Sequence, residues 1–273
     1  MKRISILGSG WLGLPLAVTL DQLGYQIKAS SRNKARLDQV EGAGIAAHYF
    51  DIENTDSDLG FLQTDILIIN ITSKNVAAFQ YLIKLIEKSS IKQVLFISST
   101  SVYQDSSNIE QPAISEDDSP ALKPCDLLSI ENLFRQNSHF ESSIIRFSGL
   151  IGYQRHPGRF FLRTTDDGLS TCKPIKNPKA LVNMIHRDDC LGIIEAVINT
   201  NCWGEVFNAC SSHHPTRREF YNAALYNLAA MKPSFVEDSI ATGKTIDNTK
   251  VKTVLKYSFR HDNLLDLESM PFI

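Results

Sequence analysis

Six residues near the start of the chain constrain its fold more than any others. They read Gly8-Ser9-Gly10-Trp11-Leu12-Gly13, a G-x-G-x-x-G pattern. A short apolar run, Ile4-Ser5-Ile6-Leu7, precedes them and reads as a strand. Leu12, Leu16, Leu20 and Leu23 follow at helical spacing, with Gly24 as a stop. In a strand–turn–helix setting each glycine has a distinct task. Gly8 permits the tight turn, Gly10 lets backbone N–H groups approach a pyrophosphate, and Gly13 permits close helix–sheet packing. The helix opening adds a partial positive charge. Dinucleotide binding is the expectation, through Gly8, Ser9, Gly10, Trp11, Leu12 and Gly13.

The pattern then repeats in kind. Strands are expected over 25–30, 46–50, 65–71, 93–98 and 142–147, and helices over 33–41, 76–88 and 128–135. The run Asp65-Ile66-Leu67-Ile68-Ile69-Asn70-Ile71 is nearly all apolar, as befits a parallel strand covered on both faces. This alternation predicts an α/β, Rossmann-type, doubly wound parallel sheet. Beyond residue 150 the pattern breaks up around Pro157, Gly158, Pro174 and Pro178. The expected division is therefore 1–150 as the dinucleotide-binding domain, with the chain returning to it near 178–210, and 151–273 as a smaller C-terminal lobe. Helix over 187–197 and strand over 205–209 belong to that return. Thr216-Arg217-Arg218-Glu219 matches a capping box opening a helix to about Ala230. Residues 104–124 are polar, with Glu116, Asp117, Asp118 and three prolines, and read as a long loop over the carboxyl edge of the sheet.

The second strand discriminates between cofactors. An NAD-preferring site places an acid at its end, to hold the ribose 2′-hydroxyl. Here Ser30-Ser31-Arg32 stands there, so no carboxylate repels a 2′-phosphate. The serine hydroxyls can donate to it and Arg32 can pair with it, a charge-assisted bond worth about 1.5–3 kcal/mol. NADP is the expected cofactor, ahead of NAD. Asp51 and Ile52, after the third strand, are candidates for the adenine end. Asn70, Ile71 and Thr72, ending the fourth, are candidates for the nicotinamide end.

Composition removes other classes. A net charge of -2 gives no electrostatic reason for a nucleic-acid or anionic-membrane partner. No apolar stretch approaches a membrane span, and the apolar N-terminal run is too short for a signal peptide, so a cytoplasmic protein is expected. Five cysteines, Cys125, Cys172, Cys190, Cys202 and Cys210, include no C-x-x-C pair and read as reduced thiols. No metal-ligand spacing appears, and no metal is expected.

Further segments carry a family resemblance. Ile97-Ser98-Ser99-Thr100-Ser101-Val102-Tyr103 resembles the S-S-x-x-V-Y segment of the extended short-chain dehydrogenases/reductases, the sugar-nucleotide epimerase/dehydratase group. Asn183-Met184-Ile185-His186-Arg187-Asp188-Asp189 is similar to their N-x-I-H-x-x-D segment. Arg146 through Gly152 resembles their R-x-x-x-x-Y-G turn, with Ile151 in the tyrosine place, and Gly204-Glu205-Val206-Phe207-Asn208 their G-x-x-Y/F-N strand. These run in family order over about residues 4–225. Beta-hydroxyacid dehydrogenases share the glycine start but not the serine-rich strand or the N-x-I-H-x-x-D segment.

Two departures stand out. The family glycine pattern is G-x-x-G-x-x-G, and Leu7 occupies its first position. The family's Tyr-x-x-x-Lys pair is missing: counting back from Glu131 puts Lys123 and Leu127 there, and a small shift gives Cys125 and Ser129. The resemblance thus implies an atypical member with an eroded active site. It implies that Ser99 holds a substrate oxygen beside the nicotinamide. Tyr103, Lys123, Tyr153 and His156 are the candidates for the proton acceptor. His186 reads as a hydrogen-bonded core histidine and Asp189 as a residue that fixes a helix start or loop. Arg146, Arg155, Arg159, Arg217 and Arg218 are candidates for an anionic substrate. The expected activity is NADP-dependent oxidoreduction of a hydroxyl or carbonyl on a small polar or sugar-like molecule. A non-catalytic NADP(H)-binding regulator is the alternative. The resemblance also implies a homodimer through helices beside the fourth and fifth strands.

Overall fold

The computed structural model describes residues 2–54, 56–107, 111–164, 170–229, 232–237 and 242–272. Its strands are β1 (Arg3–Leu7), β2 (Gln26–Ser31), β3 (Ala46–Tyr49), β4 (Ile66–Ile69), β5 (Gln93–Ser99), β6 (Glu141–Phe147), β7 (Gly149–Ile151), β8 (Leu162–Thr164), β9 (Ser170–Cys172), β10 (Met184–His186) and β11 (Val206–Ala209). Its α-helices are α1 (Gly13–Gln22), α2 (Lys34–Gly42), α3 (Val76–Glu87), α4 (Asp126–Arg135), α5 (Arg187–Thr200), α6 (Arg217–Ala229) and α7 (Thr249–Val254).

Seven strands form one sheet in the order β11-β6-β5-β4-β1-β2-β3. β1 pairs in parallel with β2 on one side and β4 on the other, and β2–β3 and β4–β5 are also parallel. The chain therefore winds outward from β1 in one direction and then in the other. This is the strand order of a Rossmann-type α/β fold, with its switch point between β1 and β4. The β4 run explains its own central place. Ile66, Leu67, Ile68 and Ile69 are all fully buried, which only a strand covered on both faces allows.

The chain divides into two compact units. The first comprises Met1–Val102, Lys123–Arg146 and Ile193–Phe207; the second comprises Tyr103–Leu122, Phe147–Gly192 and Asn208–Ile273. In the first, one apolar cluster joins Leu67 and Ile69 of β4, Val94 and Phe96 of β5, Phe79, Leu82 and Ile86 of α3, and Ile130 and Phe134 of α4. Phe96 and Phe134 stack with ring centroids 5.1 Å apart. In the second, Phe220, Tyr221, Ala224 and Leu225 of α6 pack with Ile151, Ile175, Val182, Leu264 and Leu267.

The capping box forms as its spacing requires. Thr216 N–H donates to Glu219 Oε2 at 2.8 Å, and Glu219 N–H donates to Thr216 Oγ1 at 3.2 Å. The expected helix end at Ala230 lies outside the described residues. So do residues 108–110 of the 104–124 segment. That segment is not a free loop where it is described: Ser106 bridges to Gly243, Ile114 to Ile246, and Tyr103 to Leu122. β7 pairs in parallel with β10, and β8 pairs antiparallel with β9. None of these four strands was expected, because three residues are too few to show a period. All five cysteines are free thiols. Among the described residues no helix is long and apolar enough to cross a membrane.

Candidate functional site

The glycine turn lies at the switch point. Gly8 takes a φ of +99°, and a Cβ there would overlap the Asn70 carbonyl oxygen at the end of β4. A Cβ on Gly13 would overlap the Gly8 carbonyl oxygen. Both positions are thus closed to any larger residue by backbone atoms. Asn70 Nδ2 donates to Gly8 O at 3.3 Å and Asn70 N–H donates to Leu7 O at 2.8 Å, tying β4 to the turn. From the β2 side, Ser9 N–H donates to Ser30 O at 2.9 Å and Gly8 N–H to Ser30 Oγ at 3.4 Å.

Gly10 is different. It is exposed, and a Cβ there would meet nothing within 4 Å. The next ordered backbone bond runs from Leu14 N–H back to Gly10 O at 3.2 Å, so the opening turn of α1 presents amides without intrahelical partners. Beside it, Ser9 Oγ is buried and has no hydrogen-bond partner among the described residues. Leu12 is buried and Trp11 half-buried, and they flank the helix start. An open cradle over Gly10, an orphaned hydroxyl and a helix N-terminus fit the diphosphate of a dinucleotide.

At the end of β2 the structure corrects one expectation. The Ser30 hydroxyl is fully buried and faces Gly8, so it cannot reach a ribose phosphate. Ser31 is half-buried, and its Oγ accepts from Asn33 N–H at 3.1 Å, which leaves its own proton to give. Arg32 is exposed, and its Nη1 lies 3.7 Å from Asp51 Oδ2. Asp51 is anchored in turn by Ser57 Oγ and by Glu53 N–H. Ile52 packs in the apolar core beside Phe50 and Phe61. Ile71 packs against the same core, while Thr72 is exposed.

Ser99 ends β5 half-buried, and its Oγ accepts from Ser101 N–H at 3.1 Å, again keeping its proton free to donate. Lys123 is brought near the end of β5 by a bond from its N–H to Val102 O at 2.9 Å. Its side chain is exposed. Tyr103 belongs to the second unit and is fully buried. Its hydroxyl donates to Asn208 Oδ1 at 2.8 Å, which commits the phenol to the core.

The other proton-acceptor candidates are likewise engaged. Tyr153 donates to Asp188 Oδ1 at 2.9 Å, and burial together with that carboxylate pushes its phenol upward. His156 is buried between Asn227 Oδ1 and Gly158 N–H, and burial pushes its pKa down. His186 is also pushed down, to about 4, chiefly by burial. Arg146 is not an anion site. It is 1 % exposed and its Nη2 lies 2.6 Å from Glu131 Oε2. Ser98 Oγ donates to the same carboxylate at 2.5 Å. Arg218 pairs with Glu237, and Arg217 Nε donates to Lys176 O. Asp189, fully buried, accepts from Tyr257 Oη, Arg260 N–H and His261 N–H.

No family model matches the chain. It is 27 % identical to Protein YeeZ of Escherichia coli over 97 % of this chain and 98 % of that one. Among solved structures it is similar to a UDP-glucuronic acid 4-epimerase from Bacillus cereus in complex with UDP-glucuronic acid and NAD. That likeness has a TM-score of 0.75 at 20 % identity and covers 98 % of this chain and 97 % of the other. It is also similar to a short-chain dehydrogenase/reductase superfamily protein from Agrobacterium tumefaciens with bound NAD. There the TM-score is 0.71 at 14 % identity, over 97 % and 95 % of the two chains. The fold is that of the epimerases and short-chain dehydrogenases/reductases.

Proposed function

We propose that this protein binds a nicotinamide dinucleotide and acts as an oxidoreductase of the epimerase/dehydratase type. Its substrate would offer a hydroxyl or carbonyl on a small polar or sugar-like frame. The observation that carries the reading is the glycine turn: Gly8 and Gly13 closed by backbone, Gly10 open, and the Ser9 hydroxyl orphaned beside the start of α1. NADP(H) is the preferred cofactor in this reading. β2 ends on Ser31 and is followed by Arg32, with no carboxylate at either position, and Arg32 is only loosely engaged by Asp51 at 3.7 Å. The NAD carried by two structural neighbours makes the opposite preference the natural comparison.

The bound nicotinamide would supply hydride exchange. Ser99 would hold the reacting oxygen through its free proton, and Lys123 would supply a positive charge near the end of β5. A sensor without chemistry is not favoured by the named activity of the epimerase neighbour.

Calorimetry with NAD⁺, NADH, NADP⁺ and NADPH tests the reading. NADPH should bind about 10- to 100-fold more tightly than NADH, and Arg32→Ala should remove most of that difference. Equal affinities would remove the NADP preference alone. No heat with any of the four would overturn the dinucleotide reading. Binding with neither NADPH consumption nor any conversion of a substrate, followed by product analysis, across a panel of aldehydes, ketones and sugar nucleotides would overturn the catalytic one.

A further inference from the structure

Three metal-ligating side chains meet in the second unit, away from the glycine turn in sequence. His186 ends β10, Asp188 lies in the first turn of α5, and His261 comes from the segment after α7. His186 Nδ1 lies 3.4 Å from Asp188 Oδ2, and His261 Nε2 lies 3.2 Å from the same oxygen. The three ligand atoms all fall within 4.8 Å of one another. Ligands bound at about 2.0–2.1 Å around a tetrahedral ion stand about 3.3–3.4 Å apart. Two edges of the triangle, 3.4 and 3.2 Å, lie close to that length.

The surroundings orient the donors. Asp188 N–H donates to His186 Nδ1 at 3.2 Å, so that nitrogen is unprotonated, and an ion bound there would displace this N–H from its lone pair. Tyr153 Oη donates to Asp188 Oδ1, the oxygen away from the histidines, and leaves Oδ2 for the cluster. Such a bond is the usual outer support of a ligating carboxylate. Asp189 holds the backbone N–H groups of Arg260 and His261 at 2.6 and 3.1 Å, which fixes where the His261 side chain begins. The two imidazole rings pack at a centroid distance of 4.1 Å. On the opposing side, the Arg187 guanidinium lies over the Tyr153 ring, 3.6 Å from its centroid, and its charge disfavours a second cation.

We propose that His186, Asp188 and His261 form a site for a zinc-class divalent transition metal, with a fourth position open to water. Two imidazoles and one carboxylate suit zinc or cobalt and are a poor set for magnesium or calcium, which take oxygen ligands. The ion would clamp the C-terminal segment to the β10–α5 corner, Asp188 and His261 being 73 positions apart in the sequence.

Titration of the untagged, metal-stripped full chain with Co²⁺ tests the site. One equivalent should bind with the intense d–d absorption of a four-coordinate ion, and Zn²⁺ should displace it. Zn²⁺ should also raise the melting temperature. His261→Ala and Asp188→Asn should abolish the stoichiometric absorption while keeping the circular dichroism of the wild type. Absence of stoichiometric Co²⁺ binding by the wild-type chain would overturn the proposal whether or not the variants fold. So would undiminished binding in both variants, or thiolate charge-transfer bands that place the ion on cysteine.

Discussion

The three glycines of the first turn are identical in chemistry but stand in three different surroundings, and substitution separates them. Gly10→Ala adds a methyl group where nothing lies within 4 Å, so the fold should be kept. The same methyl would occupy the space a diphosphate needs. Calorimetry should show nicotinamide-nucleotide affinity lowered at least about tenfold, or about 1.4 kcal/mol, with an unchanged melting temperature. Gly13→Ala should instead lower the melting temperature, because its Cβ would overlap the Gly8 carbonyl. Equal effects of the two on stability would contradict this division. The spacing of the three was legible in the sequence, because each glycine answers to a local backbone need. The inward turn of the Ser30 hydroxyl is not legible there, for the opposite reason. Whether a strand-end hydroxyl points to solvent or to the neighbouring turn depends on the pairing of β2 with β1, and spacing carries no trace of it.

At the scale of elements, a buried charge cluster locks three of them together. Glu131 of α4 and Arg146 of β6 are 0 % and 1 % exposed and joined by Arg146 Nε and Nη2, and Ser98 of β5 donates to the same carboxylate. Removing one partner strands the other charge in the core. Glu131→Ala should therefore cost about 3–5 kcal/mol in urea-unfolding free energy. A loss below about 1 kcal/mol would show that water reaches Arg146 in the folded state. Replacing both residues by apolar ones of similar size should cost far less. The long elements were readable in advance. β4 declared itself by four consecutive buried apolar residues, α3 and α4 by apolar spacing, and α6 by its capping box. The short strands β7 to β10 were not, since their pairing rather than their composition makes them strands.

At the scale of the whole molecule, the buried His156 ties stability to pH on the acid side. His156 is 2 % exposed, Nδ1 accepts from Gly158 N–H, and Nε2 therefore carries the proton given to Asn227 Oδ1. That is a neutral ring, and its folded pKa lies below the ordinary value because of burial. The unfolded chain then binds more protons than the folded one as pH drops below about 6.5. Stability contributed by neutral His156 is full above that value and is lost as pH falls toward the folded pKa. The slope from this one site can reach about 1.4 kcal/mol per pH unit. Melting temperatures followed from pH 7 to pH 5 should decline less steeply for His156→Gln than for the wild type. Parallel curves would show that His156 does not titrate differently on folding.

What the sequence settled by itself was everything carried by neighbours along the chain. Strand–helix alternation, the glycine turn and the capping box all follow from spacings of a few residues, where backbone geometry dictates the pattern. Only the tertiary structure decided which distant polar groups meet. It paired Tyr103 with Asn208, Glu131 with Arg146 and Arg32 with Asp51, and it gathered His186, Asp188 and His261. Such partners are chosen by how the chain folds back on itself. A buried polar atom must find its complement wherever that folding places one, and no local spacing records the choice.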